Sequence, residues 1–253
     1  MKLLALTKNA YKESVRQPIF SLLLIISAFL IYVSPFLAFF TFGEEAKMIK
    51  DMGLATITVC GILLALFGSS TVIAKELEKQ TASTILTKPL SRSQFILGKF
   101  LGIIGSVLLA ILVLALIFFL TLYQMEKKMD FSIFPAIFLI YFQVVVITAI
   151  SVGISTRTGM VPNIILSSFI FILGHLSNYL VNFLEGKSFL ISLGGKIAYL
   201  VIPNLENFNV SGAIAVGTPV PLDYLLYAAS YGVIYTVIAL LGAIVLFQGK
   251  EIR

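Results

Sequence analysis

The chain holds one histidine, His175, and one cysteine, Cys60, among its 253 residues, and that scarcity limits its chemistry. There is no H-E-x-x-H run, a two-histidine metal site cannot be assembled, and no Ser-His-Asp set is expected. Cys60 lies inside an apolar run, where a lone thiol makes neither an internal disulfide nor a cysteine metal cluster and reads as a small packing residue. Asp51, Asp130 and Asp223 all fall at the ends of apolar runs, which argues against paired aspartates working inside a membrane. Neither Gly98-Lys99 nor Gly195-Lys196 has the upstream glycine or the following hydroxyl residue of a G-x-x-x-x-G-K-[ST] phosphate loop. The sequence therefore offers no catalytic residues and no metal ligands, and any ATP chemistry belongs to another chain.

What remains are polar residues in apolar surroundings. Ser168, His175, Asn178 and Asn182 follow three- and four-residue steps, with Phe171 between, so one helix face carries them all. An ionisable group near mid-membrane is costly and points to function. The stripe reads either as the lining of a transport pathway, with His175 touching substrate or changing protonation, or as a hydrogen-bonded seam between helices or protomers, the more ordinary use of such residues. Gly61, Ala65 and Gly68, followed by Ser69, have the small-residue spacing that lets helices approach closely. Their run and the His175 run are expected near a dimer axis.

The elements that must position these residues are membrane helices. Hydrophobic residues make up 59% of the chain and charged residues 12%, and mean hydropathy is +1.04. Six runs are long enough for a hydrocarbon core about 30 Å thick: Ile19–Phe42, Gly53–Ala74, Phe100–Tyr123, Phe131–Ile154, Met160–Leu184 and Leu222–Phe247. They lack period-two alternation and exceed barrel-strand length, so an all-α integral membrane fold is expected, treated as one domain over 1–253. The first run begins too late and runs too long for a cleaved signal. The formal net charge of +6 comes from basic residues beside apolar runs rather than an aromatic-interleaved patch, which speaks against nucleic acid. Of the 18 Lys and Arg residues, 12 fall on the side holding both termini and the 75–99 connection, which makes that side cytoplasmic. Residues 1–17 set Leu3, Leu6 and Ala10 against Lys8, Lys12, Glu13 and Arg16, the pattern of an amphipathic helix at the membrane interface. The outer segment, 185–221, holds an apolar piece broken by Gly194, Gly195 and Lys196, suited to an interfacial or re-entrant helix.

Most of the organised polar sequence lies in the cytoplasmic loop 75–95. Leu77, Thr81 and Ile85 recur at helical spacing while Glu76, Glu78 and Lys79 cover other faces, and Pro89 stops the helix after Leu86. The next helix has a start signal: Ser91 and Gln94 as a capping box, Leu90 and Phe95 as a hydrophobic staple. Lys99 is expected to snorkel to the interface. A short amphipathic helix held between two fixed turns is a docking surface, whereas supplying positive charge alone would need no such chemistry.

The run KELEKQTASTILTKPLSRSQFILGKFLG resembles the coupling loop of ABC-2 type transporter permeases, at Glu76, Glu78, Thr81, Leu86, Pro89, Ser91, Arg92, Gly98 and Lys99. Thr7, Glu13, Arg16 and Phe20 resemble that family's amphipathic opening, and IPNLENFNV, with Pro203, Asn204 and Phe208, its outer segment. Gln80 stands where many members carry Gly. The resemblance implies a transmembrane subunit in the cell membrane, paired with a second copy or homologue and surrounded by lipid. Separate ABC ATPase subunits, which bind ATP and Mg, would dock on the loop and on Glu13 and Arg16. It implies alternating access, with export the expected direction. The alternatives are a module that couples an ATPase to an extracytoplasmic partner without transport, and a secondary transporter or channel, which would call for intramembrane carboxylates.

Overall fold

The computed structural model describes residues 2–39, 43–74, 91–127, 130–184 and 202–248, and among these every regular element is helical. Helix α1 (Lys2–Val15) leads to α2 (Pro18–Ala38) and α3 (Glu45–Ser69), which runs into a π-helical turn (Ser70–Ala74). Then follow α4 (Arg92–Glu126), α5 (Ile133–Ser155) and α6 (Met160–Leu184). A 3-10 turn (Leu205–Phe208) and the one-turn α7 (Ser211–Ala215) precede α8 (Leu222–Gln248). Six helices, α2 to α6 and α8, are long and apolar enough to cross a membrane.

Local chemistry sets the helix ends. Gln17 is extended and Pro18 takes the first helical position, where its fixed φ suits and its missing N–H costs nothing. Pro35 leaves the Ile31 carbonyl without its helical donor, and Ser34 Oγ supplies one at 2.8 Å, so α2 continues to Ala38. The capping box of α4 forms as its sequence requires. Ser91 Oγ accepts from the Gln94 N–H at 3.2 Å, and Gln94 Oε1 accepts from the Ser91 N–H at 3.3 Å. Leu90, the other half of the expected staple, lies outside the described residues; Phe95 is buried and stacks on Phe247.

Helix α4 starts at Arg92, straight after the expected Ser91 cap and two turns before the apolar run, and its 35 residues span roughly 52 Å at 1.5 Å each. Its extra turns carry α1. The apolar face of the expected amphipathic helix α1 packs on α4, where Ala10 is fully buried. Gly98 and Gly102 make room: a Cβ on Gly102 would sit 2.4 Å from Ala10 Cβ and 2.7 Å from the Thr7 carbonyl. Lys99 does not snorkel. It is 1% exposed beneath α1, and its Nζ lies 3.4 Å from Glu13 Oε2, since a buried ammonium is tolerable when an anion accompanies it.

Helices α3 and α5 form the centre of the bundle. Burial covers 67% and 61% of their apolar windows, against 22% for α2 and α6. Gly61, Ala65 and Gly68 point into this centre. A Cβ on Gly61 would meet Val144 of α5 at 3.0 Å, one on Gly68 would meet Ile103 of α4 at 3.1 Å, and Ala65 is fully buried. The close-approach stripe is thus used within the chain, against α4 and α5.

Candidate functional site

Polar chemistry gathers at the two ends of the bundle. Glu76, Glu78, Lys79, Thr81, Leu86 and Pro89 of the expected docking loop lie outside the described residues. The roots from which that stretch leaves and returns are described: the π-helical turn and the capped start of α4.

The first root is held from two sides. Asn163, one turn into α6, donates through Nδ2 to Ser70 Oγ at 2.8 Å and Ser151 Oγ at 3.1 Å, and its Oδ1 accepts from Ser167 Oγ at 3.2 Å. Ser69 and Ser151 share a hydrogen bond, and all five residues are fully buried. A satisfied amide in a dry interior is a strong local constraint, because leaving any of its groups unpaired is costly. On the other side Gln17 Nε2 donates to Thr71 Oγ1, which donates to the Phe67 carbonyl at 2.7 Å. The α1–α2 connector and the α5–α6 pair therefore grip the same π-helical turn, a form that often marks functional positions.

The second root is fixed by Arg92. Its Nη1 donates to the carbonyls of Phe247 at 3.0 Å and Gln248 at 2.6 Å, with the guanidinium over the Phe247 ring. These are last-turn carbonyls of α8, which a cation satisfies well. Of the other residues expected to meet an ATPase, Glu13 pairs with Lys99 inside the chain and Arg16 is exposed.

At the far end the outer segment folds back on α6. Asn204 Nδ2 donates to Asn178 Oδ1 at 2.9 Å, and the Asn204 N–H donates to Tyr231 Oη of α8 at 2.9 Å. Asn204 Oδ1 caps the 3-10 turn by accepting from the Glu206 N–H. Gly174 admits this contact, because a Cβ there would lie 2.7 Å from Leu205 and 2.8 Å from the Pro203 carbonyl. Phe208 is buried against Gly232 and Tyr231.

His175 sits between α5 and this turn. Gln143 donates through its amide nitrogen to His175 Nε2 at 2.7 Å, so the proton of the neutral ring belongs on Nδ1, which faces Glu206 Oε2 at 3.5 Å. Beside them opens a cavity of about 350 Å³, lined among others by Asp51, Thr58, Gln143, His175, Asn209 and Ser211. His175 and Asn178 are thus used in a seam with the chain's own outer segment; Ser168 lies two turns away, and the side chain of Asn182 is outside the described residues. Among the described residues no His, Cys, Asp and Glu group could hold a metal. The far end also holds a partly buried charge cluster, with Lys50 Nζ 2.6 Å from Asp130 and 3.6 Å from Glu126. Burial alone would raise the Asp130 carboxyl, but hydrogen bonds from Lys50 and Ser132 outweigh it and hold the group below the usual carboxylate range.

Asn163 and Gln143 fall outside the expected Ser168–His175–Asn178–Asn182 stripe and were not read from the sequence. The signal that marks them is a side-chain amide within an apolar run, which needs partners as surely as a charge does.

A six-span helical bundle with a braced loop root at one end and a polar seam at the other defines a multi-pass membrane protein. Residues 4–252 match the model of the ABC-2 family transporter protein, and the chain belongs to that family, whose permeases work with an ATPase subunit. No curated protein matches it significantly.

Proposed function

We propose that this chain is the transmembrane subunit of an ATP-driven ABC-2 type exporter, residing in the plasma membrane with both termini in the cytoplasm and working with a second copy or a homologue. The observation carrying this reading is the bracing of both loop roots, by Asn163 and Gln17 at one and by the Ser91 box and Arg92 at the other. By sequence, the segments assigned to this side hold 12 of the 18 basic residues, the bias of a cytoplasmic face. Residues 75–90 then form the docking element for a separate ATPase, and ATP with Mg²⁺ binds that partner. Closure of two ATPase subunits would bias the bundle between inward-open and outward-open states, by as much as their binding differs between the two.

Co-purification tests it. An affinity-tagged chain is expected to bring down an ATPase subunit, and Glu78→Ala with Thr81→Ala is expected to release it while the permease stays monodisperse. Absence of an ATPase from the wild-type preparation, or a reporter at Lys79 that reads outside the cell, would refute the reading.

A further inference from the structure

The α5–α6 pair is pinned by side-chain hydrogen bonds at two levels. Near the loop, Ser151 of α5 meets Asn163 of α6; toward the far end, Gln143 of α5 meets His175 of α6. Twelve residues separate Asn163 from His175, roughly 18 Å of helix. Partly buried apolar side chains such as Ile150 and Ile170 lie between these levels and border a groove of about 300 Å³. Two hydrogen-bonded points on one pair of helices favour its moving as a unit, because sliding either helix would break both sets of bonds at once. The lower point also grips Ser70, in the root of the 75–90 loop, and the upper point also faces Glu206 of the outer segment and borders the outer cavity.

We propose that Asn163 is a positioning residue that couples the loop root to the outer cavity: it ties the π-helical turn to α5 and α6, so that displacement of the loop is delivered to the His175 seam. This rests on the ATPase reading above. The lower grip holds the turn from inside the bundle, and the Gln17–Thr71 contact steadies it from the α1 side. An amide suits the task because it donates and accepts at once, which lets one side chain join three helices.

The test uses the full chain with its ATPase subunit in lipid nanodiscs. The background is Cys60→Ala with Ser211→Cys in the cavity wall, read by a membrane-impermeant maleimide. The readout is the ratio of labelling rates with ATP plus vanadate and without nucleotide. In the background the ratio is expected to depart from one by about fivefold or more, a bias equal to one net hydrogen bond. Asn163→Ala is expected to bring it close to one in the complexes that retain the ATPase subunit, which are isolated by a tag on that subunit. Ser70→Ala, which removes only one bond to the turn, carries the same test with a smaller effect should Asn163→Ala not yield a monodisperse complex. A residue with a merely structural role would lower Tm and raise both labelling rates together; a ratio retained in both variants overturns the proposal. If the background itself shows no ATPase or a ratio of one, the ATPase reading fails and this proposal with it, and that failure appears without any change at Asn163.

Discussion

The packing of α1 on α4 can be tested by a matched pair of glycine substitutions. Gly102 and Gly105 lie less than one turn apart on α4, so glycine-to-alanine gains the same helix propensity, about 1 kcal/mol, at both. Their surroundings differ sharply. A Cβ at Gly102 would lie 2.4 Å from Ala10 Cβ, 2.7 Å from the Thr7 carbonyl and 2.8 Å from the Tyr11 nitrogen, two of which are backbone atoms that cannot swing away. At Gly105 the nearest atom, Tyr11 Cδ2, is 3.5 Å off, an ordinary contact. The propensity term cancels in the comparison, and the difference is overpacking alone, about 1–3 kcal/mol. Gly102→Ala must push α1 off α4, exposing the bonds after Lys8 and Lys12 to trypsin. Where reclosing is fast, cleavage follows the open population, so the rate should rise about 5- to 150-fold over Gly105→Ala. Detergent-solubilised protein and timed digestion read by mass spectrometry suffice. Equal cleavage of the two variants, or faster cleavage of Gly105→Ala, would mean that α1 does not rest on this face.

Three further outcomes are expected. Asp130→Asn breaks the Lys50 pair, largely buried at 2.6 Å, and should lower Tm near neutrality by the equivalent of about 1–3 kcal/mol, below the usual cost for a fully buried pair. Because the folded-state Asp130 pKa is depressed, its contribution is fully present above the unfolded carboxylate pKa and is lost as pH falls through the folded value. The wild-type and variant melting curves should therefore converge in acid; a constant gap would refute the pairing. Gly174→Leu, with no room against Leu205 and Pro203, should lift the outer segment and speed amide exchange over 202–210, whereas unchanged exchange would show that the turn does not dock on α6. Arg92→Gln removes a cation from the Phe247 and Gln248 carbonyls and should fray the end of α8 by roughly 1–3 kcal/mol, seen as faster exchange there and not in α5.

The chain's own patterning made the six membrane helices, the Ser91 cap and the family legible, because these depend on neighbours within a few residues or on apolar length. Bilayer thickness and unpaired backbone groups leave a run of about 20 apolar residues few options. The start of α4 was placed by its cap, since Ser91 and Gln94 satisfy each other without help from the rest of the fold. The partners of this first stretch were not foreseen, because the contacts of Lys99 with α1 and of Arg92 with α8 depend on packing that local pattern does not encode.

Tertiary structure alone decided which faces meet. The stripe of amphipathic α1 announces an apolar neighbour without naming it, and only the fold brings the glycines of α4 opposite it. The same holds for Gly61, Ala65 and Gly68: small spacing announces a close neighbour but not whether it comes from this chain or another. His175 and Asn178 were legible as a stripe, while their partners Gln143, Glu206 and Asn204 come from 26 to 32 residues away. The separation is wider still for Asn163 and Ser70, 93 residues apart. Hydrogen bonds between such distant residues follow from how the helices stack, and a sequence can state the need of a buried amide for partners without stating who meets it.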